Sequence, residues 1–157
     1  MKKLTFVSLE PRNAGFTAFV PMENLASVDD DPELLLRAVS TTYARYIGLM
    51  RSLKADTDNL RKKHIPIPAR KVWELGDIIF DLRRELSQQA FELDGLYDHL
   101  VRDLGVKRKW LEKVIIFRRY LPRKAIIPES LPWGRCEKST RKVAESLREA
   151  YIVDSET

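Results

Sequence analysis

The chain has 157 residues, 44% of them hydrophobic and 32% charged, which fits one globular domain with its own core and excludes a disordered chain. No stretch approaches the roughly 18 uncharged apolar residues of a membrane span. The apolar run after Lys2 and Lys3 is too short for a signal peptide. The single cysteine, Cys136, excludes an intrachain disulfide, and together these features lead us to expect a cytoplasmic protein with no membrane partner. Net charge is +5, and its distribution is uneven. Residues 61–148 carry 21 Lys/Arg against 12 Asp/Glu, and residues 102–124 carry 9 against 2. A basic excess gathered in one segment suits a polyanionic partner, although a solvated basic face is the plainer account.

Residues 1–28 are expected to form an extended arm or a small hairpin. Residues 4–9 (LTFVSL) and 16–20 (FTAFV) are strand-like, and residues 11–15 (PRNAG) carry turn chemistry. An isolated hairpin is marginal in water, so it must pack on something. Residues 29–92 are expected to form a long helical hairpin. Asp29, Asp30 and Asp31 before Pro32 mark a helix start, with an acid at the cap and proline in the first turn. That helix should run to about Lys63, with Val39, Tyr43, Tyr46, Met50, Leu53, Thr57 and Leu60 along a narrow seam. Pro66 and Pro68 break it. A second helix from about Ala69 should bury Val72, Leu75, Ile79, Leu82, Leu86 and Ala90, with Trp73, Ile78 and Phe80 widening the face. The two helices should fold back antiparallel, unless either seam pairs across a dimer axis.

Residues 93–151 read as a third unit, with residues 91–95 (FELDG) as a linker and Asp94 as a helix cap. Residues 97–116 (YDHLVRDLGVKRKWLEKVII) resemble a helix-turn-helix bent at Gly105, a residue that tolerates positive φ. Leu100, Leu104, Val106, Leu111 and Val114 should face inward. Lys107 stands where a capping Ser or Thr is usual. Pro122 should end the second helix at Leu121. An extended connector follows, with Ile126, Ile127 and Trp133 packed on the core. A last helix from Trp133 or Cys136 to Tyr151 should turn Val143, Leu147 and Tyr151 to one side, with residues 152–157 as an acidic, frayed tail.

A second helix with a basic outer face is what the DNA major groove accepts. Arg108, Lys109, Glu112 and Lys113 are the candidates near bases; Arg102, Lys107, Arg118, Arg119, Arg123 and Lys124 are the candidates for phosphates. The expected partner is double-stranded DNA or another nucleic acid, bound by a homodimer or by a subunit of a larger complex. The alternatives are a non-catalytic helical subunit gripping a nucleic-acid backbone, an adaptor for an acidic protein, or a merely structural helical corner.

From Val72 to Leu147 the chain resembles the N-terminal helical domain of YhcG-like, restriction-type nucleases. The resemblance rests on residues 73–79 (WELGDII), residues 97–105 (YDHLVRDLG), Leu111 with residues 117–120 (FRRY), and residues 131–133 (LPW). It implies nucleic-acid binding or partner docking, in a prokaryotic defence or mobile-element setting. The nuclease domain that follows in that family has no counterpart here, so no nuclease activity is expected.

No catalytic constellation is recognisable. The chain has no glycine-rich phosphate loop, no nucleophile elbow and no Cys-x-x-Cys. The two histidines, His64 and His99, stand far apart with no cysteine or acid cluster, so neither a metal nor a cofactor is expected. Glu74, Asp77, Asp81 and Glu85 interleave with Arg70, Lys71, Arg83 and Arg84 and read as a salt-bridged face. Cys136, beside Arg135 and near Lys138, is a candidate for a lowered thiol pKa.

Overall fold

The computed structural model describes residues 4–9, 16–21, 32–88, 92–94 and 96–156, with side chains over 40–86 and 96–152. The architecture is mainly α. In chain order the elements are β1 (Leu4–Leu9), β2 (Phe16–Pro21), α1 (Pro32–Lys62), α2 (Ala69–Gln88), β3 (Glu92–Asp94), α3 (Leu96–Leu104), α4 (Arg108–Tyr120), a 3-10 turn (Lys124–Ile126), α5 (Trp133–Glu137) and α6 (Thr140–Glu156). The aspartates expected to start α1, the turn after β1, the side chain of Val39 and the whole of Ala90 lie outside the described residues. Among the described residues no helix is long and apolar enough to cross a membrane.

The chain divides into two compact units, residues 1–49 with 80–106, and residues 50–79 with 107–157. The division does not follow the linear segments. It cuts both long helices and separates α3 from α4.

In the first unit, β1 and β2 pair antiparallel from Leu4↔Pro21 to Leu9↔Phe16. The segment expected as a linker is instead a third strand, with Thr17↔Asp94 and Phe19↔Glu92. Asp94 therefore closes a strand rather than capping a helix. The free edge of β2 satisfies the backbone of this segment, and the third strand supports a hairpin that would be marginal alone. On α1, Tyr43 and Ile47 are buried while Tyr46 is only half-buried. The seam is thus wider than the four-three reading, which missed Ile47. On the facing half of α2, Leu82 and Leu86 are buried as expected. Arg45 and Tyr46 both reach Glu85, at 2.6 and 2.5 Å. These residues stand at similar distances before and after the proline break, which is the pairing of an antiparallel hairpin. Tyr43 donates to Asp103 of α3, which also accepts from Arg102.

In the second unit, α1 ends in a Schellman motif: His64 N–H donates to Arg61 O at 3.1 Å and Ile65 N–H to Leu60 O at 2.9 Å. The motif requires a left-handed residue, and His64 takes it at φ 57°. The break then zips to the connector. Pro68 pairs with Pro132, Ala69 N–H donates to Leu131 O, and Trp133 N–H donates to Ile67 O at 2.7 Å. The core of this unit includes Met50, Ala69, Val72, Leu75 and Ile79 from the long helices, Leu111, Val114, Ile115 and Phe117 from α4, and the expected Ile126, Ile127 and Trp133.

Two expectations for the C-terminal part are corrected. The last helix is two helices, broken after Glu137, and the second runs from Thr140 to Glu156. Its buried positions are Thr140 and Ala144, while Val143, Leu147 and Tyr151 are half-buried, because small residues allow the closest approach to a neighbour. Cys136 is fully buried, and burial pushes its thiol up to about 11, opposite to the expected lowering. Arg135 and Lys138 do not offset this. Both are exposed, and desolvation of the thiol dominates.

The two left-handed positions among the described residues give opposite outcomes. At Gly105 (φ 63°) an added Cβ meets nothing within 4 Å, so Gly105→Ala is strained by backbone alone and should lower stability by about 1 kcal/mol. His64→Gly should raise it by roughly 0.5–1 kcal/mol. Urea denaturation of both variants checks the signs. A second test concerns Glu85, whose carboxyl sits below its ordinary value because Tyr46 and Arg45 donate to it. Tyr46 is raised above its usual 10 by the same bond. The depressed acid stabilises above its ordinary pKa, and that contribution is lost as pH falls through the depressed value. The raised phenol stabilises below pH 10, and that contribution is lost as pH rises through the raised value. Tyr46→Phe should move the Glu85 titration upward in carboxyl-resolved NMR and remove the alkaline loss.

Candidate nucleic-acid interface

α3 ends and α4 begins around Gly105. Val106 N–H donates back to Val101 O at 3.2 Å, closing α3, and the chain re-enters helix after Lys107. Leu100 and Leu104 of α3 and Leu111 and Val114 of α4 are buried as the spacing required, and Val106 is half-buried.

α4 is two-sided, with the half-buried Ile116 and Tyr120 interrupting its charged side. At 100° per residue, Trp110, Leu111, Val114, Ile115, Phe117 and Arg118 fall on one side, and Arg108, Lys109, Glu112, Lys113 and Arg119 on the other. The inner side holds Phe117, whose ring meets Trp133 edge to face at 5.3 Å. Lys107, Arg108, Lys109, Glu112 and Arg119 are exposed, and Lys113 is half-exposed.

Lys107 is the N-cap of α4 at φ −79° and ψ 144°, and its side chain makes no capping hydrogen bond. The first turn contains no acid. Its exposed residues are Arg108 and Lys109. Three successive cations thus crowd the positive end of a helix dipole whose first N–H groups lack a side-chain acceptor from the cap residue, which opposes the usual helix chemistry. Glu112 lies one turn on and pairs with Arg108 at 3.5 Å.

Three of the expected phosphate contacts, Arg118, Lys124 and Arg102, have intramolecular partners. Arg118 lies within the inner face, its side chain only 18% exposed and bonded to Asp77 at 2.9 Å. Its guanidinium stacks over Trp73 at 5.1 Å. Trp73 in turn donates to Leu121 O at 2.7 Å. Gly76 makes room for this arrangement, since a Cβ there would stand 2.7 Å from Arg118 Cβ and 3.1 Å from Val114 O. The signal was in the sequence: Arg118 falls four residues after Val114 and seven after Leu111, on their face. Lys124 is paired with Glu74 at 3.0 Å. The acids of α2 are therefore salt-bridged, as expected, but Arg118, Lys124 and Arg45 serve three of them, and only Asp81 uses an expected neighbour, Arg84.

Arg102 belongs to the first unit, where Asp103 holds it at 3.0 Å and raises its pKa. Lys107, Lys109, Lys113, Arg119 and Arg123 form no ion pair among the described residues. These five, with Arg108, Glu112 and the Glu74-paired Lys124, are the charged groups α4 and its exit present to solvent.

Gly76→Ala should destabilise by roughly 1–3 kcal/mol through overpacking, and Arg118→Ala by about 2 kcal/mol, since it strips Asp77 and Trp73 of their partner. Arg119→Ala, one residue on, should stay within about 0.5 kcal/mol. Chemical denaturation of the three variants distinguishes the inner from the outer cation. Comparison of the chain with family models, with curated proteins and with solved structures finds no match.

Proposed function

We propose that this is a helix-turn-helix DNA-binding protein, with α4 as the helix that meets the duplex and no catalytic activity of its own. The observation that carries the reading is the first turn of α4. Lys107, Arg108 and Lys109 face solvent at a helix N-terminus that has no side-chain cap and no acid in its first turn, Glu112 one turn on pairing with Arg108 alone. Such a terminus offers backbone N–H groups, dipole and cations to one anion, which is how a phosphate is bound. A local conflict kept in an otherwise consistent helix is where function is expected.

In this reading Lys107 and the N–H groups of the first turn take a phosphate, and Arg119 and Arg123 take others. Arg108, Lys109, Glu112 and Lys113 lie near base edges. A homodimer would place two such helices on half-sites about one DNA turn apart. The setting implied by the resemblance to YhcG-like nucleases, a defence or mobile-element system, belongs to the same proposal.

A second reading, a non-catalytic subunit that grips nucleic-acid backbone without reading bases, is favoured by one detail. The arginine best placed for bidentate base contact, Arg108, is paired with Glu112. Lys109 and Lys113 act as point charges rather than as base readers.

Lys107→Asp separates structure from function. An acid at the N-cap should stabilise α4, by about 1 kcal/mol, and abolish salt-sensitive binding to a labelled duplex in fluorescence anisotropy. Unchanged binding by that variant, or no duplex binding by the wild type, sinks the proposal. A single selected target sequence favours base reading, and equal affinity for all duplexes favours the subunit.

A further inference from the structure

Charge is sorted between the two compact units. The first, residues 1–49 with 80–106, holds 8 Lys/Arg and 12 Asp/Glu, a net −4; the second holds 20 and 11, a net +9. Only some of that excess lies on α4. Arg61, Lys62 and Lys63 close α1, all exposed; Arg135 lies on α5 and is exposed, and Lys138 follows it. None of the five forms an ion pair among the described residues.

The fold brings the two groups to one end of this unit. Arg61–Lys63 immediately precede the proline break, and Arg135 follows the segment zipped to it, through the Pro68–Pro132 pairing and the Trp133 N–H to Ile67 O bond at 2.7 Å. Four residues of the break lead from Lys63 to Ile67, and two helical steps lead from Trp133 to Arg135. The two groups therefore stand within roughly 25 Å, the axial length of about seven base pairs.

One or two cations at a helix C-terminus are explained by the dipole. Here the last carbonyls of α1 already receive the His64 and Ile65 N–H groups, and the dipole does not account for Arg135 and Lys138. Asp58, the acid nearest the end of α1, is held by Lys54 at 2.8 Å.

We propose that this tip is a second contact for the phosphate backbone, separate from α4 and blind to base sequence, built from Arg61, Lys62, Lys63, Arg135 and Lys138. It rests on the reading of α4 as a DNA-binding helix and lengthens the footprint of the same unit along the duplex.

The test is fluorescence anisotropy of the full chain with a labelled random 30-base-pair duplex over a series of salt concentrations. Lys62→Gln/Lys63→Gln and Arg135→Gln/Lys138→Gln are compared with the wild type and with Lys109→Gln/Lys113→Gln of α4. For every phosphate that the tip no longer neutralises, the slope of log K against log salt should shrink by about 0.9, and affinity should fall roughly tenfold at 0.1 M salt, equally for all sequences. Melting temperatures of the tip variants should match the wild type. If the α4 variant abolishes binding while both tip variants keep the wild-type slope, the tip proposal falls and the α4 reading stands. If the wild type binds no duplex, both fall. If the tip variants bind duplex as the wild type does but no longer bind phosphatidylserine vesicles, the tip is a membrane contact and the proposal is overturned.

Discussion

The second unit is organised around a cation drawn into its interior. Arg118 is the one strongly basic group on the inner face of α4, and three residues of α2 are shaped to receive it. Asp77 neutralises it, Trp73 supplies a ring beneath the guanidinium, and Gly76 removes the side chain that would otherwise hold the helices apart. A charge with most of its side chain out of water is best held by a partner and a close fit, since partial desolvation works against it. The arrangement therefore specifies one register of α4 on α2. A register error of one residue would separate Asp77 from Arg118 and leave the acid without its base.

That constraint settles which face of α4 turns outward. With Arg118, Val114, Leu111 and Phe117 fixed inward, Lys109, Lys113 and Arg119 must face solvent, together with the start of the helix, which no side chain of its cap residue satisfies. The stability of the inner face allows the outer face to be poor by helix standards, because tertiary packing rather than local capping holds a 13-residue helix in place. The proposed anion site is thus a local concession that the core permits.

The first unit works differently. Its polar links among the described residues include two from phenol to carboxylate, Tyr43 to Asp103 and Tyr46 to Glu85, with Arg45 and Arg102 attached at the rims. These bonds tie α1 to α3 through the buried Tyr43 and to α2 through the half-buried Tyr46, and they sit in a unit that is net acidic. The pairing of α2 acids with distant bases, and of Tyr46 with Glu85, means that the charges most visible in the sequence are largely consumed within the fold. The basic excess that is left over belongs to the second unit.

The sequence alone determined most of the elements, because they depend on short-range physics. Proline at residues 66, 68 and 122 ends helices whatever surrounds it, glycine at residue 105 bends the chain, and apolar residues at helical spacing predict burial at Val72, Leu75, Ile79, Leu100, Leu111 and Val114. The exposed basic row of α4 was equally legible. What only the tertiary structure decided was the partner of each charge and of each free backbone edge. Arg118 reads as one more cation in a basic run, yet its place is set by a glycine, an acid and a tryptophan some forty residues earlier. Residues 92–94 read as linker, yet the edge of β2 makes them a strand, and Cys136 reads as activated by its basic neighbours, yet burial raises its pKa. Each of these outcomes turns on groups far apart in the chain, whose meeting no local pattern encodes.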